Sequence, residues 1–250
     1  MKKLSLISKL YIALVVLTGV AVLGNSLRHW HWGKPAEFLA LLVMTLAASR
    51  LRVKLPRING VMSVNLPFLL IVTIRLAGSG SLLIAALAGL VQSIPTARKR
   101  TTLVQALFNS ATITNAVAAA GFVSAFASHR GLALPLSIAA AGAAFFLANT
   151  LPIAVVLWLV EGERPAQTWL GMARLSAPYY TLSAGVAAIV CEATQLALWG
   201  ETLALLPLMY AIYTSYRGYF TPVAEPALAA ESKPMGRAGA PAPSAKGAVN

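Results

Sequence analysis

Along the chain, long apolar runs alternate with short connectors rich in Arg, Lys, Gly and Pro. A membrane span needs about 20 predominantly apolar residues. On that measure the pattern predicts spans at 10–27, 36–51, 60–78, 80–95, 103–128, 132–160, 177–198 and 201–219. The expected fold is an all-α, multi-pass membrane helical bundle of about eight transmembrane helices. The fourth run is short, and Gly78-Ser79-Gly80 before it leaves room only for a tight turn. Runs three and four therefore also read as a re-entrant pair or as broken helices, which membranes tolerate where the irregular backbone is enclosed in protein. From Pro222 the sequence turns to Pro, Ala and Gly without apolar period, a composition that builds no core. The expected division is an integral membrane helical domain at 1–221 and a disordered cytoplasmic tail at 222–250.

Composition strengthens this picture. Hydrophobic residues make up 58% of the 250, charged residues 11%, and the mean hydropathy is +0.74. Soluble domains carry about 25% charged residues, so the bilayer is the expected first partner. The net charge of +13 follows topology and not nucleic acid. With the amino terminus inside and eight alternating spans, sixteen Lys and Arg fall on the inner side against three (Arg28, Lys34 and Arg130) outside. Cytoplasmic loops carry this excess, so both termini are expected in the cytoplasm. Lys2 and Lys3 before the first apolar run resemble a signal-peptide start, but the run's length favours a retained helix. Cys191 is the single cysteine, which excludes an internal disulfide and a Cys-based metal site.

The polar residues inside the spans carry any chemistry. Arg75 lies about 22 Å into span three at 1.5 Å per residue, and Glu192 lies at the same depth in the co-directional span seven. A charge in lipid faces a partner or a cavity, so the two are expected either to face each other or to share a ligand. The competing reading has Arg75 snorkelling to the outer headgroups and Glu192 in a wet funnel. Gln105, Asn109 and Thr112 follow at i, i+4 and i+7, one polar stripe on span five, with Asn115 at its edge. Asn149 falls near mid-membrane in span six, and Asn65 nearer the inner side of span three. These amides either glue helices together or line a solute cavity. The candidate ligand-binding set is therefore Asn65, Arg75, Gln105, Asn109, Asn115, Asn149 and Glu192.

Other features are architectural. Small residues at 116–121 and 137–144 allow close helix approach, and Pro67, Pro152 and Pro207 are candidate kinks. Trp30, Trp32, Trp199, Tyr179, Tyr180 and Tyr219 are expected as an interfacial aromatic belt. His29 and His31, with only Glu37 nearby, read as interfacial anchors and not as a metal site. Residues 165–177 have Trp169, Met172 and Leu175 or Ser176 at helical spacing, which suggests a short helix along the inner interface or an ordinary connector.

The order LPRINGVMSVNLPF, KRTTLVQALFN, FFLANTLPIAVVLWLVEG and APYYTLSAGV resembles a bacterial multi-pass vitamin-uptake-like sensor membrane domain, over roughly residues 36–220. That family is similar in architecture to the substrate-binding subunits of energy-coupling-factor transporters. The resemblance implies a bacterial cytoplasmic (inner) membrane location and a ligand-binding bundle, with Asn65, Asn109 and Asn149 at the matching motif positions. Family members are usually sensory inputs fused to cyclic-dinucleotide enzymes or histidine kinases. The tail here carries no such module, so signalling calls for a cytoplasmic partner protein. The functional expectation is a small-molecule-binding sensory bundle, with a vitamin-like solute transporter or its binding subunit as the alternative. No cofactor is expected, and an enzyme is not, because Asp is absent and Glu192 is the sole intramembrane acid.

Overall fold

The computed structural model describes residues 5–30, 35–54, 61–76, 78–94, 101–162 and 164–193, with isolated positions between 207 and 215. The expected eighth span and the expected 222–250 tail lie almost wholly or wholly outside these residues.

Within them the chain is predominantly helical. Its elements are α1 (Leu6–Arg28), α2 (Pro35–Arg50), β1 (Arg52–Lys54), β2 (Val61–Ser63), α3 (Leu66–Leu76), α4 (Ser79–Ser93), α5 (Leu103–His129), α6 (Leu134–Glu161) and α7 (Pro165–Ala193). The helices α1, α5 and α6 are long and apolar enough to cross a membrane. Their apolar side chains also point outward: Leu14, Leu17 and Phe122 are 59%, 65% and 75% exposed. Water would not support such a surface, whereas acyl chains would.

Three expectations change. The run 60–78 is not one helix but a strand, a turn and an 11-residue helix. Strands β1 and β2 pair antiparallel, Arg52 opposite Ser63 and Lys54 opposite Val61, a short ribbon on an otherwise all-helical fold. At 1.5 Å per residue α3 is about 16 Å long, half of a 30 Å hydrocarbon core. Second, Pro67 does not kink a span. It sits in the first turn of α3, where the helix needs no N–H from it. Third, residues 165–177 form neither a separate helix nor a connector. They are the first half of the 29-residue α7, which carries Pro178 inside it.

Helix α3 forms because its surroundings are apolar on every side. Leu66 through Thr73 are all buried, and α3 packs against α2, α4, α5, α6 and α7. A helix hydrophobic all round is a core helix. Its amino end is held by Tyr179 of α7, whose hydroxyl donates to the Ser63 carbonyl (3.2 Å) and accepts from the Leu66 N–H (3.1 Å). Asn65 Nδ2 donates to Ser49 Oγ at 2.8 Å, and Ser49 Oγ donates to the Thr45 carbonyl at 2.7 Å. Backbone left irregular inside an apolar bundle needs such partners. Tyr179 is only 2% exposed, so it is a core bridge and not part of an interfacial belt. Tyr179→Phe leaves a buried carbonyl and a buried N–H unsatisfied. The expected result is a loss of about 1–3 kcal/mol, seen as a lower melting temperature in detergent with unchanged helical circular dichroism.

Candidate functional site

The polar side chains singled out in the sequence divide into helix joints and an end cluster. Asn109 Nδ2 donates to the Gly89 carbonyl and to Ser93 Oγ, both at 3.1 Å, and so stitches α5 to α4. Beside it Ser110 Oγ donates to the Ala86 carbonyl at 2.8 Å. Asn115 Nδ2 reaches the Val15 carbonyl (3.2 Å) and Thr18 Oγ1 (3.1 Å) on α1. Asn149 Nδ2 donates to the Tyr180 hydroxyl at 2.9 Å, tying α6 to α7. Each bond satisfies an amide that lipid would leave unpaired.

Gln105 has a local role. It forms a capping box with Thr102: Thr102 N–H donates to its side-chain oxygen, and its own N–H donates to Thr102 Oγ1. Thr112 bonds back to the Phe108 carbonyl at 2.8 Å. The stripe at i, i+4 and i+7 is therefore real in register but divided in work. One member starts the helix, one joins α4, and one turns inward on its own backbone.

Arg75 and its surroundings form the second group. Its guanidinium, in the last turn of α3, donates to the Glu37 carboxylate in the first turn of α2. The two side chains are 19% and 11% exposed. The ion pair that the described residues show for Arg75 is thus with Glu37, a partner the sequence did not single out. Glu192 is exposed near the end of α7. Cys191, next to Glu192 in the chain, is buried. The Arg75–Glu37 pair thus stands where α3 stops and α2 begins. Trp30 closes over this end, its ring meeting Phe38 edge-on with centroids 5.5 Å apart.

Glu37 was missed because it stands at a predicted span end, where a charge needs no explanation. The signal was geometric. Runs two and three are antiparallel neighbours, so the start of one stands level with the end of the other. A second arrangement was equally hidden: Phe146 of α6 packs on both Tyr180 (4.8 Å, edge-on) and Trp169 (6.2 Å), and Trp169 Nε1 donates to Thr150 Oγ1 at 3.0 Å. Trp169 and Tyr180 are thus seated against α6. Trp32, Trp199, Tyr219 and His31 lie outside the described residues, while His29 is exposed, its Nδ1 3.1 Å from the Asn25 carbonyl. Among the described residues no group of three or more His, Cys, Asp or Glu is placed to hold a metal.

Compared with known proteins, the chain matches no family model, no curated protein and no solved structure.

Proposed function

We propose that this chain is an integral membrane bundle that binds a small molecule at the end where α3 stops, and that it acts through partner proteins as a sensory component. The observation that carries this reading is the buried 11-residue α3, which ends on the Arg75–Glu37 pair. A helix ending inside a bundle places its terminal groups where a ligand can meet them, and intramembrane charges mark such sites. The amides at 109, 115 and 149 support the scaffold and leave recognition to the charged end. Eight alternating spans with both termini in the cytoplasm are the topology that the distribution of Lys and Arg favours. The inner membrane of a bacterium is the location that goes with it.

Uptake of a vitamin-like solute is the second reading. It is favoured by α3 and α4 together, helices of 11 and 15 residues joined by a tight turn. Short, paired, interrupted helices are a recurring feature of transporter binding sites.

Native mass spectrometry of the chain, extracted gently from its host membrane, tests the binding role. The expected spectrum shows one small molecule per chain. Arg75→Gln is expected to release it, while Asn115→Ala keeps it at some cost in stability. A wild-type spectrum without a small-molecule adduct, or an adduct that survives Arg75→Gln, would overturn the assignment.

A further inference from the structure

The opposite end of the bundle carries a different chemistry. Lys9 lies in the opening turns of α1, and Arg50 is the last residue of α2. Arg164 immediately precedes α7, and Arg174 lies in its first half. All four are exposed. Lys9 and Arg164 share this end through a contact between helices. Ser8 Oγ donates to the Leu159 carbonyl at 3.0 Å, which seats the start of α1 on the end of α6. Arg164 follows directly from that α6 end. The link from Ser49 to Asn65, and from Leu66 to Tyr179, sets the end of α2 beside α7, five residues beyond Arg174.

Helix α7 presents a two-sided face here. Met172 and Ser176 are buried against the bundle, whereas Leu170 and Arg174, at i and i+4, are both exposed. Trp169 is fixed inward by Thr150 and Phe146. An outward apolar side chain one turn from an outward guanidinium suits the boundary between acyl chains and headgroups. The guanidinium's planar fork matches a phosphate diester.

We propose that this end binds anionic phospholipid headgroups, with Arg164 and Arg174 as the main phosphate ligands, Lys9 and Arg50 adding charge, and Leu170 meeting the acyl chain. The proposal rests on the membrane reading above but not on the small-molecule site. The occupant is chosen by charge. Among the described residues four cations stand here against the exposed Glu161, and none of the four joins an ion pair with another described residue. Basic residues at this level attract anionic lipid.

The test uses the full chain in nonionic detergent, titrated with phosphatidylglycerol or with phosphatidylcholine of the same acyl chains. Native mass spectra and melting temperature are the readouts. Phosphatidylglycerol is expected to remain bound and to raise the melting temperature, and phosphatidylcholine to do neither. Each charge removed should weaken retention about fivefold. Arg164→Gln with Arg174→Gln should then lose more than tenfold, and Arg174→Gln alone an intermediate amount. Arg130→Gln at the other end should change nothing. Equal retention of the two lipids, or full retention by the double variant, would overturn the headgroup proposal and leave the membrane reading standing. Equal protection by inorganic phosphate would overturn it in favour of a free-anion site. A chain that keeps neither lipid would likewise overturn the headgroup proposal.

Discussion

Arg75→Ala is expected to destabilise the bundle by about 3–5 kcal/mol, because it leaves the Glu37 carboxylate buried without its cation. Glu37 is 11% exposed, so water compensates only in small part. Arg75→Glu should be worse, since it would set two carboxylates against each other where α3 ends. The partner is identified by exchange. Arg75→Glu combined with Glu37→Arg should recover much of the lost melting temperature, whereas Arg75→Glu with Glu192→Arg should not. Replacing both members of the pair by Leu should be close to neutral for stability, as it is for other buried pairs, and should still abolish small-molecule retention if the pair serves recognition. Better rescue through Glu192 would reassign the pair to the partner expected from depth alone.

The second large effect is steric. A Cβ at Gly89 would lie 2.5 Å from the Ser110 Cα and 3.1 Å from its backbone nitrogen. Both atoms belong to main chain that has no rotamer to yield, so α4 and α5 must separate. Separation also stretches the Ser110–Ala86 and Asn109–Gly89 hydrogen bonds. Gly89→Ala should therefore cost more than the 1–3 kcal/mol typical of overpacking, and Gly89→Val should prevent recovery of folded protein. Gly19→Ala, meeting the Ala111 Cβ at 2.8 Å and its Cα at 2.9 Å, should rank next. Gly142→Ala, with Ala184 Cβ at 3.2 Å, should be milder. Gly24 has nothing within 4 Å, so Gly24→Ala should stabilise α1 by up to about 1 kcal/mol through helix propensity. Thermal melts of the four variants in one detergent check the order. Equal shifts at Gly89 and Gly24 would contradict close α4–α5 packing.

What could be read from residue order alone was whatever depends on periodicity and local chemistry. Apolar length located α1, α5 and α6, and the spacing of Gln105, Asn109 and Thr112 placed them on one helix. Tight small-residue packing was also legible at Gly142, and Ala116 and Ala120 are fully buried.

Choices among partners lay beyond that reach. One-dimensional depth cannot say which of two carboxylates at the same level will meet Arg75. The α2–α3 neighbourhood chose Glu37. Hydropathy likewise treats 60–78 as a single span, because strand, turn and helix are all largely apolar in sequence. The helix begins only at Leu66 because Asn65 finds Ser49, and because the Tyr179 hydroxyl satisfies the backbone on either side of the turn. The same distinction moved Tyr179 from an expected interfacial belt into the core. Periodicity is a property of the chain, whereas satisfaction of a buried polar group depends on which other segment arrives beside it.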